Sequence, residues 1–125
     1  MPSKTSGDSR ILLSELARSA ATGDALATRA AAMEFSETDL STVACPVDLD
    51  PTELVIAAAL VELFAQRRGC EAPAWVHEIG SLDEPRFLVN LAVCMPHLRA
   101  QCERESPLPL RSRNLFAPAN YLTWV

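Results

Sequence analysis

At 125 residues, with a formal charge of −5 and a pI near 4.9, the chain has length for one hydrophobic core and too little for two, and its acidity excludes gripping nucleic acid over the whole surface. Hydrophobic residues make up 49% but aromatics only 6%, so the core must rest on Leu, Val and Ala, which suits packed helices better than a β-sandwich. The longest apolar run, Leu54 to Val61, is far short of the ~20 residues that cross a bilayer.

Residues 1–7 are small and polar without periodicity and read as a disordered tail, leaving 8–125 as a single domain. No apolar stretch follows a charged start there, so the expectation is a cytosolic protein with no secretory signal. Asp8 or Ser9 can cap a first helix, with Leu12, Leu13, Leu16, Ala17 and Ala20 on one face and Gly23 at its end. Asp24 then caps an alanine-rich helix reaching about Phe35, for which Leu26, Ala30 and Met33 form the predicted inward stripe. Ser36 to Asp39 has the form of a capping box, but Pro46 allows only a short turn or helix in that stretch.

The clearest element begins at Asp50-Pro51-Thr52-Glu53: a capping side chain, proline at the first helical position and a carboxylate three residues after the cap. Ile56, Leu60 and Phe64 recur every four residues, and Arg67, Arg68 and Gly69 suit the negative end of a helix and its stop. With Ala57, Ala58 and Ala59 leaving little polar surface, this helix is expected at the centre of the fold. Pro73 excludes regular helix before Trp75 or Val76. A further helix is predicted from near Asp83, Glu84 and Pro85 to Arg104, with Phe87, Leu88, Leu91, Ala92, Met95 and Leu98 as its apolar side and Pro96 kinking or splitting it. From Ser106 the chain reads as irregular, with one helical turn at Ala119 to Leu122. No strand pair is evident, and the predicted class is all-α, a small domain of four to five helices with an irregular C-terminal segment.

Catalytic motifs are lacking. There are two histidines, four scattered glycines and no serine in a nucleophile elbow, so no catalytic, cofactor or metal residues are assigned and an enzyme is not expected. Cys70, His77, Cys94, His97 and Cys102 contain the atoms of a zinc site but no close ligand pair, and the four cysteines read as reduced thiols in apolar space. The unusual chemistry lies in Glu105-Ser-Pro-Leu-Pro-Leu-Arg111-Ser-Arg113-Asn114-Leu-Phe116 and in Pro73-Ala74-Trp75. Arginine, tryptophan and a proline frame suit recognition of a partner, and Trp75, Arg111, Arg113, Asn114 and Phe116 are the candidate partner-binding residues. Each also has an internal role open to it. Trp75 can anchor the core while its indole N–H finds a carbonyl, Arg111 and Arg113 can pair with Glu103 or Glu105, and Phe116 can plug the core.

At these residues the chain resembles a family of short bacterial proteins marked by Pro-x-Trp after an alanine-rich helix and by Glu-Ser-Pro…Arg-x-Arg-Asn-Ile/Leu-Phe near the C-terminus. Here the motifs are Pro73-Ala74-Trp75, Glu105-Ser106-Pro107, Arg111 to Phe116 and Ala119-Asn120-Tyr121-Leu122, and the likeness spans about residues 50 to 123. Arg86 after Pro85 departs from the family, where a bulky aromatic is expected. Members of the family often lie beside toxin-like genes, including nucleotidyltransferase-type toxins, or are described as regulators. The resemblance therefore implies a non-catalytic, antitoxin-like subunit that binds a toxin-like protein and covers its cleft. One alternative is a DNA-associated regulator using Arg99, Arg104, Arg111 and Arg113 on phosphates, although the net charge argues against direct nucleic-acid contact. The other is a homodimeric interaction protein packed through its alanine-rich helices.

Overall fold

The computed structural model describes residues 6–89 and 95–123, and among them the chain forms six helices and one two-stranded sheet. Helix α1 (Ser6–Thr22) starts inside the stretch expected as a tail and buries Leu13, Leu16, Ala17 and Ala20. It stops at Gly23, whose φ of 75° is left-handed and easily adopted only without a Cβ. Asp24 caps helix α2 (Ala25–Phe35) by accepting the Ala27 amide at 3.1 Å. A 3₁₀ turn over Leu40–Thr42 comes next, capped by Asp39.

Helix α3 (Pro51–Arg68) begins with the expected capping box: the Glu53 amide donates to Asp50 Oδ1 at 2.8 Å, and the Asp50 amide donates to Glu53 Oε1 at 3.2 Å. It ends at Gly69 with φ 69°, and the Cys70 amide returns to the Ala65 carbonyl. Residues Val55 through Val61 and Leu63 through Ala65 are all buried, so α3 is sheathed nearly all round by its neighbours. Phe64 meets Phe35 of α2 with ring centroids 6.1 Å apart. The two arginines at its end are fasteners. Arg68 donates to the carbonyls of Thr38 (2.9 Å) and Ser36 (2.7 Å), and Arg67 to that of Tyr121 (2.7 Å). These carbonyls belong to loops that would otherwise have only water to satisfy them.

The remaining elements are helix α4 (Ala74–Glu78), strand β1 (Arg86–Phe87), helix α5 (Pro96–Glu105), helix α6 (Leu108–Arg111) and strand β2 (Leu115–Phe116). β1 and β2 pair in parallel, Arg86 with Leu115 and Phe87 with Phe116. A parallel pair needs a long crossover, and here the crossover carries α5 and α6.

Several expectations are corrected. The helix predicted from 83–85 to 104 is right in its second half, which is α5, and wrong at its start: Arg86 and Phe87 are extended, and the Arg86 and Leu88 amides donate to the Asn114 and Phe116 carbonyls at 2.9 and 3.0 Å. Pro96 stands in the first turn of α5, where a missing amide costs nothing, and the extended Met95 before it marks that helix's start; whether it divides a longer helix turns on residues 90–94, outside the described residues. Leu91 and Ala92 of the predicted stripe lie outside the described residues, as does Cys94. The absence of a strand pair is corrected by β1 and β2, and the segment after Ser106 contains α6. Finally, α2 is turned about its axis from the predicted register. Thr28, Ala31, Ala32 and Phe35 are buried, while Leu26, Ala30 and Met33 face outward. Small residues at 31 and 32 let α2 approach α1 closely, and that packing outweighs burying the two larger side chains. Among the described residues no helix is long and apolar enough to cross a membrane.

Candidate partner-binding surface

The five residues singled out in the sequence converge on one region, but most are turned inward. Arg113 is 8% exposed. Its Nη1 forms an ion pair with Glu62 of α3 and donates to the Pro109 carbonyl at 3.3 Å, while Nη2 donates to the Val76 carbonyl of α4 at 3.0 Å. One guanidinium therefore joins α3, α4 and the end of α6, and its partner is neither Glu103 nor Glu105. Glu103 lies 3.6 Å from Arg99, and Glu105 accepts from Gln101. Glu62 could have been noticed: it is the only charged residue between Leu54 and Ala65, and a carboxylate in such a run must find a cation.

Asn114 adopts φ 66°, a left-handed conformation that asparagine tolerates better than most residues. Its Nδ2 donates to the Leu82 carbonyl at 3.0 Å, and the Leu82 amide donates back to the Arg113 carbonyl at 3.1 Å. The sharp turn at 112–114 thus aims β2 at β1. Trp75 is half-buried against the core, and its indole N–H donates to the Val43 carbonyl at 2.8 Å. Phe116 is also half-buried, 5.4 Å from the Phe87 ring, and the Arg99 guanidinium lies 5.1 Å over Phe87.

Arg111 is different. It is exposed, and among the described residues its guanidinium has neither hydrogen bond nor ion pair. Leu108, three residues earlier on the same helical turn, is 63% exposed. Pro109 and Leu110 between them are buried, so α6 is seated on α3 while holding Leu108 and Arg111 in solvent.

No group of three or more potential metal ligands occurs among the described residues. Burial pushes the thiols of Cys45 and Cys102 up, the opposite of what a nucleophilic thiolate needs. Asp48 is held below the usual carboxylate range by the Ser14 hydroxyl at 2.8 Å and then by Arg18 at 2.7 Å, a contact that ties the loop before α3 to α1. The larger clefts are shallow and open. In the cleft of about 640 Å³ beside Glu62, Cys70 and His77, Glu62 is half-buried and already paired with Arg113, and Glu71 is exposed. Comparison with models of protein families, with curated proteins and with solved structures found no match to this chain.

Proposed function

We propose that the chain is a non-catalytic protein-binding subunit whose contact surface is the outward face of α6, Leu108 with Arg111. The observation that carries this reading is a large apolar side chain at 63% exposure beside an exposed arginine. Both stand on a backbone held by the Arg113, Asn114 and Ser106 hydrogen bonds. Arginine is among the residues that carry most binding energy at interfaces, the leucine beside it adds apolar area to bury, and a backbone already held in place lowers the entropy lost on docking. Arg113 and Trp75 act as the frame behind that contact, leaving Arg111 and Leu108 to meet the partner.

The partner class comes from the motif resemblance at Pro73-Ala74-Trp75 and Arg111 to Phe116: a toxin-like protein whose acidic or nucleotide-binding cleft this surface would cover. The regulator reading has less support, because Arg113 is consumed internally and Arg99 is shared between Glu103 and the Phe87 ring. Co-expression with the product of the neighbouring gene tests the proposal. A stable complex with relief of toxicity, lost in Leu108→Asp and Arg111→Glu at unchanged circular dichroism, is the expected result. The absence of both complex and relief in the unaltered protein would refute it.

A further inference from the structure

The outward face of α2 has a pattern that the antitoxin-like reading does not use. Leu26 is 80% exposed and Met33 55%, and Ala30 between them is exposed as well. On a helix, positions 26, 30 and 33 succeed one another at steps of four and three, forming a single stripe opposite the buried Thr28, Ala31, Ala32 and Phe35. Steps of four and three are the spacing of a two-helix seam. Taken as core positions of such a seam, they put Arg29 on one flank and Glu34 on the other, five residues apart. In two helices running parallel and in register, that spacing sets the Arg29 of each chain beside the partner copy's Glu34, twice by symmetry. An antiparallel pair would instead bring like flanks together. Both side chains are engaged within their own chain; the seam uses only their sign and spacing.

We propose that α2 is the interface of a parallel, two-fold homodimer of this chain, with Leu26 and Met33 meeting their counterparts across the axis and Ala30 permitting close approach. A second copy is the occupant because the flanking charges complement themselves in one orientation. A cleft beside the stripe adds to the fit. It has a volume of about 440 Å³ and is lined by Ala27, Ala30, Ala31 and Glu34 of α2 with Glu15 and Arg18 of α1, so small side chains leave room along that flank for the helix of the other copy. An 11-residue helix offers only three seam positions, well under the ~800 Å² per partner of a standard interface. The dimer is therefore in dynamic, concentration-dependent equilibrium. This surface lies on α2, apart from the Leu108 and Arg111 contact on α6, and stands or falls independently of it.

Sedimentation velocity on the full chain from about 1 μM to about 1 mM tests it. The expected result is a weight-average mass that rises toward the dimer with concentration. Leu26→Glu and Met33→Glu should each weaken the dissociation constant at least ~10-fold, and Leu26→Gln should do so more mildly, all three with unchanged helix content because the positions are exposed. Arg29→Glu alone and Glu34→Arg alone should dimerise poorly, while an equimolar mixture of these two variants should regain dimer, since each acidic flank then meets a basic one. A mass that stays monomeric throughout, a dimer indifferent to Leu26→Glu, or charge variants that dimerise alone as well as the unaltered chain would overturn the proposal.

Discussion

Replacing Arg113 with alanine should destabilise the fold by about 3 kcal/mol. The change removes the ion pair with Glu62 and the donations to the Val76 and Pro109 carbonyls. Breaking a buried pair from one side costs about 3–5 kcal/mol because the other charge is left uncompensated. The Glu62 side chain keeps 32% of its surface in solvent, so water can reclaim part of it, which places the figure at the lower end. Against a total of about 5–15 kcal/mol for a domain of this kind, that is a large fraction. Urea denaturation followed by circular dichroism would read it as a fall in midpoint at constant slope. The double variant Arg113→Met with Glu62→Met removes both charges and should lie within about 1 kcal/mol of the unaltered chain, so the two single Met losses together should exceed the double loss by more than about 2 kcal/mol in the cycle. An Arg113→Ala loss under about 1 kcal/mol, or single losses that simply add, would refute the account of Arg113 as the joint between α3, α4 and α6. Partner binding by the Arg113 variants should decline only with the folded fraction, whereas Arg111→Glu should lose binding at full stability.

Gly69→Ala isolates a backbone effect, because nothing lies within 4 Å of the added Cβ while φ is 69°; thermal melts should show a loss of about 1 kcal/mol, and a loss above ~3 kcal/mol would indicate a clash instead. Tyr121→Phe should stabilise by about 1 kcal/mol, since the hydroxyl is buried and has no hydrogen-bond partner among the described residues. Burial also pushes the Tyr121 phenol above its ordinary value of 10.0. The unfolded chain therefore ionises first as pH rises past that value, and stability falls by up to ~1.4 kcal/mol per pH unit, a slope absent from the Phe variant in urea titrations near pH 8 and near pH 11. Trp75→Phe should cost about 1–2 kcal/mol in the same assay by leaving the Val43 carbonyl unpaired.

What could be read from the sequence was written locally. The limits of α3 arise from Asp50-Pro51-Thr52-Glu53 and from Arg67-Arg68-Gly69, each a few neighbouring residues satisfying each other's backbone, and its all-round apolar content placed it at the centre. The anchoring of Trp75 through its indole N–H was likewise foreseeable, because a half-buried indole needs an acceptor. The features that escaped depend on residues far apart in the chain. The extended course of Arg86 and Phe87 is stabilised by carbonyls at Asn114 and Phe116, and an apolar spacing that fits a helix carries no trace of them. Arg111 and Arg113 are two residues apart in the same motif, yet one is solvent-exposed and the other is spent on Glu62; only the path of the turn through Asn114 separates them. For α2, hydrophobicity ranked Leu26 and Met33 inward, whereas in the fold packed against α1 the buried positions are Thr28, Ala31, Ala32 and Phe35.

The sheathing of α3 has a consequence for how the polypeptide is made. Its cover comes from α1 and α2 on the N-terminal side and from Val76, Leu110, Leu115 and Ala117 on the other. A nascent chain emerging from a ribosome holds only part of that cover until residues 110–117 have been synthesised, and the strongly apolar 55–65 stretch stays incompletely wrapped meanwhile. Completion of this core is thus tied to translation of residues 110–117, and products truncated before them should be insoluble or rapidly degraded.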